Sequence, residues 1–277
     1  MNLMELLGVK KMYQMTRQDI DKFLEGSEFK PVGEGGNASV FLKGDTIYKF
    51  WLRDEAYEKF LEYVLKHQHN PYLPRLKSGI KELPTFHRRH LSAPDRLRYV
   101  KMEELENKSE SKRGTYQNLY LFKKKSRDIY ISERKVLDIF YIDIDKGMSR
   151  EQLYRAVLDG VEHYAKKQLE IRYDDEDDED LSELERQLDL FDTEKIDNPE
   201  LLLLIDTLCD IYELVGKDKH VRFDLHDWNV LFRGKQMVIV DPLVSDKNLR
   251  FNQMLYRYEE ELRKDMKDHR EVTGPKR

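Results

Sequence analysis

The spacing of apolar and polar positions divides the chain into a strand-rich first part and a helix-rich second part. Short apolar runs at Phe29–Gly33, Val40-Phe41-Leu42 and Thr46–Trp51 are separated by a glycine-rich stretch and by Lys43-Gly44-Asp45. The pattern predicts strand, glycine loop, strand, turn, strand. Asp54–Gln68 then has helical periodicity, with Tyr57, Phe60, Leu61, Val64 and Leu65 on the apolar side and Glu55, Glu58 and Glu62 on the other. Strand candidates follow at Phe86–Arg89 and Arg98–Met102, the second running into a connector, Glu103-Glu104-Leu105. Beyond Asn107 the periodicity turns helical, at Ser132–Tyr141, Arg150–Ile171 and Pro199–Val215. The last of these is apolar nearly all round and predicts a buried helix.

Ahead of the strands, residues 1–27 read as a helical extension, with Thr16 as N-cap, Ile20, Phe23 and Leu24 on one face, and Gly26 as its stop. Asn252–Lys267 reads as a charged helix, and the tail 269–277 as disordered. The divisions are therefore 1–27, a strand-rich unit 28–105, a mainly helical unit 106–268 with an acidic insert at 173–195, and the tail. The expected fold class is α+β.

The stretch richest in chemistry is Arg222–Leu243. Val230-Leu231-Phe232, a turn at Arg233-Gly234-Lys235 and the β-branched run Met237–Val240 predict a hairpin. Asn229 and Asp241 then fall at one end of it, with Asp224 on the preceding loop. Two carboxylates and an amide are oxygen donors suited to a hard divalent cation. Upstream, Gly33, Gly35 and Gly36 let backbone approach a bulky anion, and Val40 begins the framing strand. Lys49 is the single cation of an otherwise apolar strand and needs a partner there, either a phosphate or one of Glu55, Glu58 and Glu62. The G-x-x-x-x-G-K-[ST] pattern is absent, and the glycines precede a strand rather than a helix, which excludes P-loop and dinucleotide-binding turns.

Composition narrows the setting. Cys209 is the only cysteine, so no internal disulfide forms, and a reducing cytoplasm is expected. No apolar run nears the roughly 20 residues that span a bilayer, and no signal-peptide pattern opens the chain, so no membrane association is expected. A net charge of -5 argues against a general nucleic-acid binder, although Lys123-Lys124-Lys125 is locally basic. The acidic run Asp174–Asp180 reads as a solvated loop, with calcium binding or mimicry of a polyanion as the alternatives.

In combination, the glycine loop, strand lysine, D-x-x-x-x-N and later Asp resemble the protein-kinase-like superfamily. Phe223-Asp-Leu-His-Asp-Trp-Asn-Val-Leu with Ile239-Val-Asp-Pro242 is most similar to the early serine/threonine protein kinases of podophages of the T-seven group. The resemblance runs loosely from Val32 to Ser245. It implies a two-lobed fold, with a small antiparallel-β N-lobe and a compact, mainly helical C-lobe, and an ATP- and Mg²⁺-dependent phosphotransferase. By the same resemblance Asp224 takes the acceptor proton, Asn229 and Asp241 hold magnesium, and Lys49 holds the nucleotide phosphates. Gly33, Gly35 and Gly36 cover those phosphates beside Val40, and the backbone of Glu103–Leu105 meets the adenine. The implied partners are host proteins in the host cytoplasm; the oligomeric state stays open.

Departures from the pattern are specific. The H-R-D histidine is missing before Asp224, His220 falling one place too early; D-F-G is replaced by Asp241-Pro242-Leu243; Ala38 stands at the third loop glycine; and no A-P-E follows. His226 matches phage and aminoglycoside-type kinases rather than the eukaryotic branch. Control through an activation segment is therefore not expected. Two alternatives accompany the protein-kinase expectation: a kinase acting on a small molecule, and a kinase-shaped binding protein that inhibits a host defence or transcription factor without catalysis.

Overall fold

The structure, a computed structural model, describes residues 28–34, 38–52, 54–82, 97–107, 116–124, 127–142, 147–173, 196, 198–215, 218, 220–226 and 229–245. The expectations for 1–27, Phe86–Arg89, the acidic run, Asn252–Lys267 and the tail lie outside these residues.

The chain is α+β. Strands β1 (Lys30–Glu34), β2 (Ala38–Lys43) and β3 (Thr46–Leu52) lead into helix α1 (Glu55–Lys66), followed by β4 (Lys81–Glu82) and β5 (Leu97–Glu103). These strands form one five-stranded antiparallel sheet, in the order β1-β2-β3-β5-β4. Gly44 turns β2 into β3 at φ 62°, a conformation glycine adopts without steric cost. Asp54 caps α1 by accepting from the Tyr57 amide at 3.0 Å. The helix buries Ala56, Tyr57, Phe60, Leu61, Tyr63 and Val64. Leu65, expected on the apolar face, is exposed, and Tyr63 is buried with its hydroxyl donating to Asp210 at 2.9 Å.

The sheet is apolar on both faces. Val40, Lys49 and Val100 are register partners on β2, β3 and β5 and so share one face. Trp51 is on that face too and meets the Tyr57 ring edge-on at 5.2 Å. The opposite face carries Phe41, Tyr48, Phe50 and Tyr99, with Phe29 against Tyr48 at 5.0 Å.

The second part opens on a hairpin outside the strands expected from the sequence, β6 (Asn118–Lys124) and β7 (Arg127–Ser132), with Leu119, Leu121, Ile129 and Ile131 buried. Helices α2 (Glu133–Ile142), α3 (Arg150–Tyr173) and α4 (Pro199–Val215) follow. Their starts are written in side chains. Ser149 and Gln152 cap α3 reciprocally, at 3.2 and 2.8 Å. Asn198 accepts from the amides of Glu200 and Leu201 at 2.9 and 3.1 Å, with Pro199 in the first turn. Helix α4 is buried along most of its length and packs against α1, α2 and α3. Among the described residues, no helix is long and apolar enough to cross a membrane.

One buried acid stands at the start of α2. Glu133 is fully buried; one carboxyl oxygen accepts from the Gln117 amide at 3.0 Å and the other has no partner among the described residues. Burial, assisted by the charge of Glu200, pushes this carboxyl up to about 7. The folded protein therefore keeps a proton that the unfolded chain has lost, and stability falls as pH rises from the ordinary glutamate value of 4.5 to about 7. Glu133→Gln is expected to stabilise the protein by about 2 kcal/mol at pH 8. Urea unfolding at pH 8 and pH 5 checks this, since the gain should shrink at the lower pH.

Candidate active site

Two short strand pairings, each extended by one backbone hydrogen bond, assemble the polar residues of the Arg222–Leu243 stretch. Strands β9 (Val230–Arg233) and β10 (Gln236–Ile239) form the expected hairpin, turned by Gly234 at φ 62°. The Val240 amide donates to the Asn229 carbonyl at 3.0 Å, so Asn229 and Asp241 sit at the same end. Two further strands, β8 (Val221–Phe223) and β11 (Leu243–Ser245), pair antiparallel, and the Asp224 amide donates to the Pro242 carbonyl at 2.8 Å. Asp224 follows β8, Asn229 precedes β9, and Asp241 lies between β10 and β11. All three are thus at the mouths of paired strands, where backbone positions are well determined.

Asp224 is held by its neighbours. Asn229 Nδ2 donates to the Asp224 carbonyl at 2.6 Å and to its Oδ2 at 3.0 Å. His226 Nε2 lies 3.3 Å from Asp224 Oδ1, and the Asn229 amide donates to the His226 carbonyl at 2.9 Å. The carboxylate stays partly exposed and can meet an incoming hydroxyl. Sequence reasoning placed His226 only by resemblance; here it orients the carboxylate.

Lys49 reaches this cluster from the sheet. Its Nζ is 2.7 Å from Asp241 Oδ2, a contact between residues 192 positions apart in the chain. The lysine is buried, and burial by itself would lower its affinity for a proton. The Asp241 charge outweighs that and holds the ammonium above the usual lysine range. Beneath it is the Tyr57 ring, with Nζ 3.8 Å from the centroid. Burial, with the nearby Asp241 and Asp54, pushes the Tyr57 hydroxyl up to about 12, against the opposing pull of Lys49.

None of the three glutamates considered for Lys49 pairs with it. Glu58 forms an ion pair with Arg98 on β5 and accepts from Trp51 Nε1 at 3.1 Å. Glu55 and Glu62 are exposed. The helical phase explains this: Tyr57 occupies the buried position of α1 nearest the lysine, and Glu58 turns toward the sheet edge.

The remaining expected site residues are distributed as follows. Gly33 lies on β1 beside a register irregularity and opposite Val40, which is itself opposite Lys49. Gly35 and Gly36 lie outside the described residues. Glu103 ends β5, and its amide donates to the Arg75 carbonyl at 3.0 Å, so that N–H is already engaged. The main chain of Glu104 and Leu105 enters no hydrogen bond among the described residues, leaving it available to a planar heterocycle.

The Glu103 side chain serves a separate purpose. It forms a bidentate ion pair with Arg233 at the far end of the β9–β10 hairpin, with Arg233 Nε to Oε2 at 2.9 Å. Arg233 also donates to the carbonyls of Pro71 and Leu73 at 3.1 and 3.0 Å, and the Arg75 amide donates to Glu103 at 2.7 Å. A bridge between Glu106 and Phe232, with both amides donating at 2.9 Å, completes the join. One arginine thereby ties the hairpin carrying Asn229 and Asp241 to the end of the sheet carrying Lys49. Nothing in the local pattern around Arg233 marks it out, because its partners are remote in sequence.

Magnesium is compatible with the oxygens present. Neither Asn229 Oδ1 nor Asp241 Oδ1 makes a hydrogen bond among the described residues, and both are hard donors. No group of three or more His, Cys, Asp or Glu side chains suited to a metal occurs among the described residues, so phosphate and water would complete the shell. No protein-family model matches the chain, and no curated protein does either.

Proposed function

We propose that the protein is an ATP- and magnesium-dependent phosphotransferase of protein-kinase-like, two-lobed build that acts on serine or threonine hydroxyls. The observation that carries the reading is the contact of Lys49 with Asp241 beside the Asp224–Asn229 pair. A buried cation, an oxygen-donor pair and a partly exposed carboxylate, drawn from four remote or loop positions, meet at one place. Phosphoryl transfer needs this combination, because its transition state spreads negative charge over the peripheral oxygens and requires an oriented nucleophile.

The step follows from these residues. Asp224, steadied by Asn229 and His226, accepts the proton of the acceptor hydroxyl. The hydroxyl oxygen bonds to the γ-phosphorus, the bond from that phosphorus to the bridging oxygen breaks, and ADP departs. Lys49 holds the phosphate oxygens, and β1 and β2 roof them. Asn229 and Asp241 would hold magnesium, which supplies charge neutralisation on the phosphates when bound. Adenine would lie along Glu104 and Leu105. Host proteins are the proposed acceptors, on the strength of the resemblance alone.

Incubation of the intact protein with γ-labelled ATP, magnesium and bacterial lysate tests the assignment. Label is expected in protein, as phosphoserine or phosphothreonine. Label confined to a soluble metabolite would move the acceptor to a small molecule. Absence of transfer together with no calorimetric binding of ATP-magnesium would overturn the reading and leave a binding protein.

A further inference from the structure

The glutamates of α1 leave Lys49 without a carboxylate from that helix. We propose that Tyr57 takes that part: its ring is the platform that positions the Lys49 ammonium for the phosphates. The inference rests on the phosphotransfer reading and adds a residue to it.

Three observations converge on the ring. Lys49 Nζ stands 3.8 Å from its centroid, within the range of a strong cation–π contact, and both side chains are buried, where water does not weaken the attraction. The ring is fixed from several sides. The Tyr57 amide is capped by Asp54 at 3.0 Å, Trp51 meets the ring edge-on at 5.2 Å, and Phe60 packs at 6.2 Å. The α1 carboxylate that is not simply exposed, Glu58, is committed to Arg98 and Trp51.

An aromatic platform differs chemically from a carboxylate. A glutamate would neutralise the ammonium, whereas a ring face attracts it through a quadrupole and leaves its charge whole. Asp241 is the one counter-charge on Lys49 among the described residues. Were Asp241 to hold a magnesium ion, Lys49 would keep its full charge for the phosphates, and the ring would hold the ammonium in place.

The Tyr57 hydroxyl has no hydrogen-bond partner of regular geometry among the described residues but acts on Lys49 through its charge and dipole, so Tyr57→Phe keeps the ring and removes only that contribution. Tyr57→Leu removes the platform, and Glu58→Gln tests the carboxylate. The readouts are kcat and KM for ATP, together with acylation of Lys49 by an acyl phosphate of ATP, followed by mass spectrometry. This reagent transfers its acyl group to an amine lying against the phosphates and so reports the position of Lys49 independently of turnover. Tyr57→Leu is expected to lower kcat and Lys49 acylation about 10- to 30-fold, with KM changed less. Tyr57→Phe and Glu58→Gln are expected to stay within about 3-fold of wild type, because neither removes the ring.

A Tyr57→Leu protein that is folded by circular dichroism and unchanged in both readouts overturns the proposal. So does a Glu58→Gln loss as large as that of Tyr57→Leu. Should Tyr57→Leu fail to fold, the other two variants decide: retention in both supports the platform, and loss in Glu58→Gln or Tyr57→Phe overturns it. If wild-type Lys49 is not acylated at all, the nucleotide reading falls and the platform with it.

Discussion

Asp224→Asn is expected to lower phosphotransfer by about 10² to 10⁴ while leaving the fold and nucleotide binding in place. On the proposed function the change removes the proton acceptor and almost nothing else. Asparagine has the size of aspartate, and its oxygen can still accept from Asn229 Nδ2, which now donates to Asp224 Oδ2 at 3.0 Å. Its amide nitrogen would face His226 Nε2, now 3.3 Å from Oδ1, which can accept in the neutral tautomer. The backbone bond from Asp224 to Pro242 does not involve the side chain. The expected signature is a fall in kcat with KM for ATP little changed, measured by steady-state kinetics on protein whose thermal midpoint matches wild type. A loss of binding equal to the loss of rate would show that Asp224 holds nucleotide instead of proton.

Arg233→Met is expected to cost about 3 to 5 kcal/mol of stability, since it strands a largely buried carboxylate. Glu103 is held below the usual glutamate range because the Arg233 bonds and charge, with the Arg75 amide, outweigh the opposing effect of burial. Removing the guanidinium leaves that burial uncompensated and the Pro71 and Leu73 carbonyls without their donor. A double variant, Arg233→Met with Glu103→Leu, should recover the carboxylate part of the loss but not the part due to the carbonyls and the Arg75 amide. Chemical denaturation of wild type, both single variants and the double variant measures the coupling. The sign with pH is defined as well. A depressed carboxylate contributes stability above its unfolded value and loses it as pH falls through the folded value, so the difference between wild type and Arg233→Met should narrow in acid. The single variant should also lower kcat, because the hairpin that carries Asp241 loses its tie to the sheet that carries Lys49.

What could be read in the sequence was whatever rests on local pattern. The β9–β10 hairpin was visible because β-branched residues flank a glycine turn, and that pattern alone puts Asn229 and Asp241 at one end of it. Helix α1 was visible by its periodicity, to within its cap. The partner of Lys49 was not. Three glutamates shared the helix, and the choice depended on the rotation of α1 against the sheet, which brings Tyr57 inward and sends Glu58 to Arg98. Strands β8 and β11 were too short, at three residues each, to show alternation, and their pairing is set by tertiary context. The β6–β7 hairpin carries a strand signal, the alternation Leu119-Tyr120-Leu121 and Ile129-Tyr130-Ile131 with the leucines and isoleucines buried, but the lysines at 123–125 between the two runs read as a basic patch and obscured it. Arg233 carried no signal at all, because its role is made by partners about 130 and 160 positions away.

The pairing of β8 with β11 has a consequence for how such a protein would be governed. Asp241 and Pro242 are the entire link between Val240 and a strand already locked to Phe223, and the Pro242 carbonyl is engaged by Asp224. A molecular switch needs a segment with two resting places of similar energy, and this link has no slack in which to find a second. If the proposed phosphotransfer holds, a catalyst built in this way would need no rearrangement of this link once folded. Its output would be metered by dosage, through the timing of its synthesis and the lifetime of each copy.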